Sequence, residues 1–257
     1  MVGSFRSVWV LAVSAVFVIA LPAVLAGQEP AAPRHDHGQE AGAEHQHGHA
    51  HAAANSETGY HHGTAEHDFS DAEEWSARFD SAERHVWQKP EEVTALLEIA
   101  PGMTVVDLGA GTGYFMSYLS AAAGADGKVL ALDPEPDMIR FMQQRAEREE
   151  LGNVVPRQIP YDDPQLAAES VDRVLIVNTW HHIAERDAYS RKLLAALKPG
   201  GRVYVVDFTR DSPSGPPVAE RIDPEQVAAE LAAGGLAADT IEETLPRQYV
   251  VVGRRAD

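Results

Sequence analysis

The sequence predicts an α/β fold, doubly wound around a mostly parallel sheet that closes with an antiparallel pair at one edge. Three observations carry this expectation. Short apolar runs alternate with helical stretches from residue 104 to residue 207, the order that parallel strands joined by helical crossovers produce. The first of these runs opens directly into glycines at every second position. Near residues 237–253 two further strands follow each other too closely for a crossover helix, so they are expected to pair antiparallel at a sheet edge.

A chain of 257 residues suffices for one well-buried domain with extensions and falls short of two domains with separate cores. Its 44% apolar and 23% charged residues are ordinary for a globular protein, which makes disorder a local matter. A formal net charge of −18 argues against nucleic acid as a partner, because a phosphate backbone would be repelled over most of the surface. The expected substrate is a small molecule or a protein, with the small molecule preferred. Cysteine is absent, which excludes disulfides, thiolate metal sites and cysteine nucleophiles.

Residues 1–26 read as a signal peptide or an N-terminal anchor. Arg6 precedes an uncharged stretch from Val8 to Ala26, and Val24-Leu25-Ala26 places small residues where signal peptidase reads, with cleavage expected before Gly27. Left uncleaved, the stretch is about long enough to span a bilayer. Either version puts the remainder outside the cytoplasm, periplasmic or anchored facing outward, with the membrane touched only through this segment. From residue 27 to residue 68 runs a flexible tether rich in His, Ala, Gly and Glu, without the periodicity that burial needs. It carries His35, His37, His45, His47, His49, His51, His61, His62 and His67. Neutral imidazoles on a mobile chain can capture zinc, nickel or copper weakly and at several points, or can simply decorate a soluble linker.

Order is expected from Phe69 onward, in a domain of residues 69–257 that begins with a helical extension. Ala72, Trp75, Phe79 and Ala82 lie at helical spacing between Asp71 and Val86, and a second helix starts at Pro90, with Val93, Leu96, Leu97 and Ile99 as its apolar stripe and Pro101-Gly102 as its end. Strands are expected at 104–108, 129–133, 173–178 and 202–207, with helices at 138–148 and 186–197 among the crossovers. Asp223-Pro224-Glu225-Gln226 supplies an N-cap, an N1 proline and a capping-box partner for a helix to Ala233, closed by Gly234-Gly235. The edge pair then occupies 237–244 and 248–253.

The chemistry is expected at Val105-Val106-Asp107-Leu108-Gly109-Ala110-Gly111-Thr112-Gly113-Tyr114-Phe115. A buried strand runs into a bend that brings the backbone close to a ligand with no side chain in the way, and then into a helix with Phe115, Tyr118 and Leu119. Twenty positions after Gly113, Asp133 ends the next strand, where a carboxylate can accept hydrogen bonds from both hydroxyls of a ribose. A dinucleotide site wants a small sixth residue so that pyrophosphate can sit on the helix terminus; Tyr114 stands there and counts against NAD.

This glycine pattern, preceded by Asp107, resembles motif I of the class I, Rossmann-like, S-adenosylmethionine-dependent methyltransferases. Leu130-Ala131-Leu132-Asp133 resembles the family's second motif, Tyr161-Asp162-Asp163 its acidic position near adenine, 171–178 its fourth strand and 197–203 its turn into the fifth. The resemblance spans about residues 91–253. It implies S-adenosylmethionine as cofactor, held by Asp107, Gly109, Ala110, Gly111, Thr112, Gly113, Asp133, Asp162 (or Asp163) and Asn178, and an in-line methyl transfer to an acceptor it does not identify. His181 and His182 lie just past the fourth strand, on the rim where open sheets bind ligands, and are the candidate proton acceptors; packing or helix capping is the other reading. Trp180 is expected either to wall the acceptor pocket or to be core, residues 84–89 to fold over the donor as a lid or to pack through Trp87, and Asp172 and Asp207 to be structural. Asn178-Thr179-Trp180 departs from the Asn-Pro-Pro-Tyr pattern of amide and adenine amino methylators, and the missing cysteines exclude the thiolate chemistry of arsenite methylation. The alternative to an enzyme is an exported, non-catalytic protein that binds the cofactor and uses the histidine tether for metal.

Overall fold

The computed structural model describes residues 71–256; residues 1–26 and the tether with its nine histidines lie outside the described residues. Helices α1 (Ala72–Phe79), α2 (Ala82–Gln88) and α3 (Pro90–Leu96) come first. There follow β1 (Thr104–Leu108), α4 (Met116–Ala123), β2 (Lys128–Asp133), α5 (Pro136–Arg148), β3 (Val154–Gln158), β4 (Val171–Val177), α6 (Arg186–Ala196) and β5 (Leu197–Phe208). The chain ends with α7 (Pro224–Ala233), β6 (Ala237–Ile241) and β7 (Gln248–Arg254). Short 3₁₀ turns lie at Trp180–His182 and Val218–Glu220.

The seven strands form one sheet in the order β3-β2-β1-β4-β5-β7-β6. The first five strands pair parallel, and β7 runs antiparallel to both β5 and β6, as the close spacing of the last two strands requires. Burial of alternate side chains on both faces explains why the central strands are mostly apolar. Val105, Val129, Ala131, Leu175, Tyr204, Val206, Val250 and Val252 enter one core with α3, α4 and α5. Their neighbours Val106, Leu130, Leu132, Val174, Ile176, Val203, Val205 and Val251 enter the other core, with α6 and α7. Because the strand order reverses between β1 and β4, the crevice beyond their carboxyl ends is where such a sheet takes a ligand.

Three local readings need correction. The stretch 71–86 is two helices: Ser81 is extended (φ −64°, ψ 145°), its Oγ accepts from the Arg84 amide at 3.3 Å, and this cap restarts the helix. Strand β3 was not expected, because it is an edge strand with only Val154 buried and with Pro156 in its middle, a residue that edges alone tolerate. At α7 the expected capping box is not made. The Asp223 carboxylate instead receives Nε and Nη2 of Arg210 at 2.6 and 2.9 Å, and the helix starts on Pro224 without a side-chain cap. Trp180 resolves as core: it is fully buried and its Nε1 donates to Glu230 at 2.8 Å. Among the described residues no helix is long and apolar enough to cross a membrane.

Leu175 sits in β4, between β1 and β5, with no exposed surface. Leu175→Ala should cost on the order of 3 kcal/mol in urea unfolding, as a large-to-small change at a site walled by strands on both sides. A loss below about 1 kcal/mol would contradict the two-faced core described above.

Candidate active site

The bend after β1 is shaped by what cannot fit there. Gly109 has φ +72°, and a Cβ on it would lie 2.3 Å from Thr179 Cγ2, so only glycine lets the end of β1 pass the end of β4. The amides of Gly109 and Ala110 donate to the Leu132 carbonyl at 2.8 and 3.0 Å, which ties the bend to the tip of β2. Next in line, the Gly111 amide donates to Asp133 Oδ2 at 2.9 Å, while Asp133 Oδ1 accepts from the Glu135 amide at 3.0 Å. Gly113 serves packing: a Cβ there would meet Met116 Sδ at 2.5 Å.

A cavity of about 330 Å³ opens over these strand ends. Gly109, Ala110, Gly111, Asp133, Asn178, His181 and His182 line it. Asp107, Thr112 and Gly113 are adjacent but do not line it, and Asp162 is exposed, with Pro160 and Tyr161 taking its place in the wall. Of the segment 84–89, Arg84 and Trp87 line the cavity, Trp87 also packing against Phe208 at 5.7 Å, and Trp75 and Phe79 of α1, stacked at 5.1 Å, complete a roof that was not expected from α1.

Charge in the cavity is concentrated near β1 and β2. Burial pushes Asp107 up to about 7, partly opposed by the Arg84 guanidinium, and Asp133 adds to the upward shift. Burial likewise pushes Asp133 up to about 6 against the two amides that hydrogen-bond it. Desolvation lowers Arg84 to about 10; its guanidinium stands 4.1 Å from the Tyr114 ring centroid and donates to the Phe79 carbonyl at 2.9 Å. Among the described residues Asp107 Oδ2, Thr112 Oγ1 and Tyr114 Oη are buried without a hydrogen-bond partner. All three lie behind the cavity wall, so they are polar groups the motif buries at a cost rather than contacts of the cavity.

S-adenosylmethionine fits these residues. Its ribose hydroxyls match the Asp133 carboxylate at the end of β2, and its adenine matches the apolar wall of Met138, Ile159 and Pro160, while Asp107 stays behind the bend, outside the lining.

Across the cavity lies a second cluster. His181 is buried, and its Nδ1 is 2.9 and 3.0 Å from the two oxygens of Asp207, the penultimate residue of β5. A carboxylate accepts, so Nδ1 carries a proton. The His182 ring lies 4.2 Å away, tilted by 46°. Asp207, read as structural in the sequence, thus orients a histidine of the cavity wall, whereas Asp172 keeps the structural role expected of it, accepting from the Thr104 amide and Lys198 Nζ. A third arrangement was not anticipated: Gln88 Nε2 donates to Gln248 Oε1 and Gln248 Nε2 to Asn178 Oδ1, both at 2.6 Å, linking the roof to the tip of β4. Asn178 itself is left-handed at φ +54°. A glutamine and an aspartate at the tips of otherwise apolar strands were the available signals. Among the described residues no cluster of three metal-ligating side chains occurs.

Asp107 and Asp133 bind protons more readily folded than an exposed aspartate does, so their contribution favours the fold at low pH and is lost as pH rises through about 6 and 7. The unfolding free energy should therefore fall between pH 5 and pH 8, with a shallower slope for Asp107→Asn. Equal slopes for the two proteins would contradict the assigned burial of Asp107.

A family profile described as a methyltransferase domain matches residues 99–244. An arsenite methyltransferase of Halobacterium salinarum is 30% identical over 152 residues, which cover 59% of this chain and 38% of the relative. The ubiquinone/menaquinone biosynthesis C-methyltransferase UbiE of Idiomarina loihiensis is 30% identical over 115 residues, covering 42% and 44%. The chain thus spans less than half the length of these two curated relatives. The crystal structure of a SAM-dependent methyltransferase from Aquifex aeolicus superposes with a TM-score of 0.68 at 25% identity, over 74% of this chain and 99% of that one. With the profile covering more than half of the sequence, and the bend, Asp133 and the reversed strand order in their places, the chain belongs to the class I S-adenosylmethionine-dependent methyltransferases.

Proposed function

We propose that this chain transfers the methyl group of S-adenosylmethionine to a small-molecule acceptor by in-line displacement, with His181 as the base. The observation that carries this reading is a single cavity with the Gly109–Gly111 bend and Asp133 on one side and the His181–Asp207 pair on the other. The cofactor supplies an electrophilic methyl on a sulfonium. What the chain contributes is alignment, exclusion of water under the roof of α1 and α2, and a lone pair on His181 Nε2 for the acceptor's proton. Asp207 holds the tautomer that this role needs and stabilises the imidazolium that follows. His181 is preferred to His182 because Asp207 orients its ring.

The wider setting is also proposed. A net charge of −18 supports a small acceptor over nucleic acid. The uncharged stretch after Arg6 supports a catalytic unit outside the cytoplasm, and the nine tether histidines support weak zinc, nickel or copper capture that catalysis does not need. The arsenite methyltransferase named among the relatives does not lend its substrate, because this chain has no cysteine.

Calorimetry should show binding of S-adenosylmethionine and S-adenosylhomocysteine and none of NAD; no heat with either sulfur compound would overturn the proposal. With methyl-labelled donor and a mixed low-molecular-mass extract, label should enter small compounds, and label confined to macromolecules would contradict the acceptor class. His181→Asn should lower that transfer about 10²- to 10⁴-fold while leaving S-adenosylhomocysteine affinity unchanged, the range a general base supplies.

A further inference from the structure

The half of the cavity over β4 and β5 differs in chemistry from the half over β1 and β2. The four charged residues that line the cavity are Asp133 and Glu135, which follow β2, Arg78, which rests over the Trp75 ring on α1, a helix packed against α5, and Arg84, which faces Asp107 and Tyr114 and is held by Gln88 Oε1 at 3.3 and 3.4 Å. Beyond His181 and His182 the lining of this half includes Asn178, Thr179, Tyr189, Trp87, Phe208 and the segment Ser214–Pro217, with no aspartate, glutamate, lysine or arginine among these described residues. The Trp87 and Phe208 rings are 5.7 Å apart and tilted by 41°. Behind this wall Arg247 stands 5.3 Å from the Trp87 ring and donates from Nη1 to Ser214 Oγ at 3.2 Å, while its Nη2 is paired with Glu83 at 3.3 Å. An anionic acceptor entering this half would lose its hydration and find, beside the two histidines, a guanidinium already paired with Glu83.

The outer wall is also fixed in shape, by a device unrelated to the donor site. Arg221 is buried, and its guanidinium reaches five backbone carbonyls of one segment: Thr209 at 3.1 Å, Arg210 at 2.9 Å, Ser212 at 2.8 Å, Ser214 at 3.2 Å and Pro216 at 2.9 Å. A loop that would otherwise hold its carbonyls toward water is wrapped around one cation. Gly215, at φ +106°, lies so close to Phe208 that a Cβ would come within 2.6 Å of the ring, and Pro216-Pro217 adds two residues of fixed φ. The wall and the aromatic floor are therefore one preformed unit.

Resting on the function proposed above, we infer that this chamber takes a neutral, planar ring compound bearing an ionisable hydroxyl, and that Arg221 is the positioning residue that sets its width. The hydroxyl proton passes to His181 Nε2. The oxygen lone pair forms the new bond to the methyl carbon as the carbon–sulfur bond of the donor breaks, and the electron pair of that bond stays on sulfur. A ring hydroxyl is neutral on arrival, needs a base to react, and presents flat apolar faces to Trp87 and Phe208.

The matched probes 2-naphthol and 2-naphthoate share the ring and differ in charge. Titrated by calorimetry into the full chain saturated with S-adenosylhomocysteine, 2-naphthol should bind at least about tenfold more tightly than 2-naphthoate, the margin set by an unpaired buried carboxylate. With methyl-labelled S-adenosylmethionine, 2-naphthol should give the labelled methyl ether. Arg221→Lys should weaken 2-naphthol by about tenfold or more, leave S-adenosylhomocysteine affinity within about twofold, and speed amide exchange across residues 209–217, because the two sites share no contacts. Equal or tighter binding of 2-naphthoate, or no binding of either probe to the donor-loaded protein, would overturn the inference. Unchanged 2-naphthol affinity in Arg221→Lys would overturn the role of Arg221. Failure of the native protein to bind S-adenosylhomocysteine would overturn the donor reading beneath both, and that outcome is read independently of the probes.

Discussion

The hydrogen bond from the Gly111 amide to Asp133 joins the two ends of the site, and most of the architecture serves to make it. A carboxylate at the tip of β2 holds the bend that follows β1, so the acid and the side-chain-free backbone are kept within one cavity. The geometry depends on Gly109, whose place a larger residue could take only by displacing Thr179 at the end of β4. It depends equally on parallel register, since Leu108 pairs with Leu132 on one side and with Ile176 on the other. Three strand tips are thereby brought level, and the ligand crevice follows from the reversal of strand order between β1 and β4.

Polar groups are held in this region at a cost in folding free energy. Asp107 and Asp133 are buried and pushed upward, Arg84 is pushed downward, and three polar atoms of the motif are left unpaired. Such groups cost stability, and the two apolar cores on the faces of the sheet offset them. The half over β4 and β5 uses the opposite strategy, with its polar demands met inside the chain: Asp207 serves His181, Gln248 serves Asn178, and Arg221 gathers the carbonyls of the neighbouring loop. One half thus carries polar groups that the chain leaves unpaired, and the other is complete and shaped.

Much of this could be read from the residues in order. The buried strands at 104–108, 129–133, 173–178 and 202–207, the closing antiparallel pair, and the nearness of the bend to Asp133 all appear in the structure, because period-2 burial on two faces leaves a continuous apolar signature. Strand β3 left none, being an exposed edge around Pro156. The split between α1 and α2 hinged on one serine cap, a local competition that apolar spacing does not register. Long-range polar pairings were the least legible. Gln88 meets Gln248 across 160 residues, and nothing near Arg221 in the chain announces that its partners are carbonyls rather than a carboxylate. Trp180 resolved toward the core because its indole found Glu230 on α7.

The central claim is that the carboxylate at the tip of β2 both fixes the bend and receives the ribose of the donor. Calorimetric titration of S-adenosylhomocysteine into native protein and Asp133→Asn, between pH 5 and pH 8, tests it most directly. The native affinity should rise with pH through about 6, as the acid ionises. The variant should bind about 10- to 100-fold more weakly at pH 8, the loss expected for charge-assisted hydrogen bonds, and should not share the rise through pH 6. An Asp133→Asn protein that binds as tightly as native and follows the same pH profile would contradict the account.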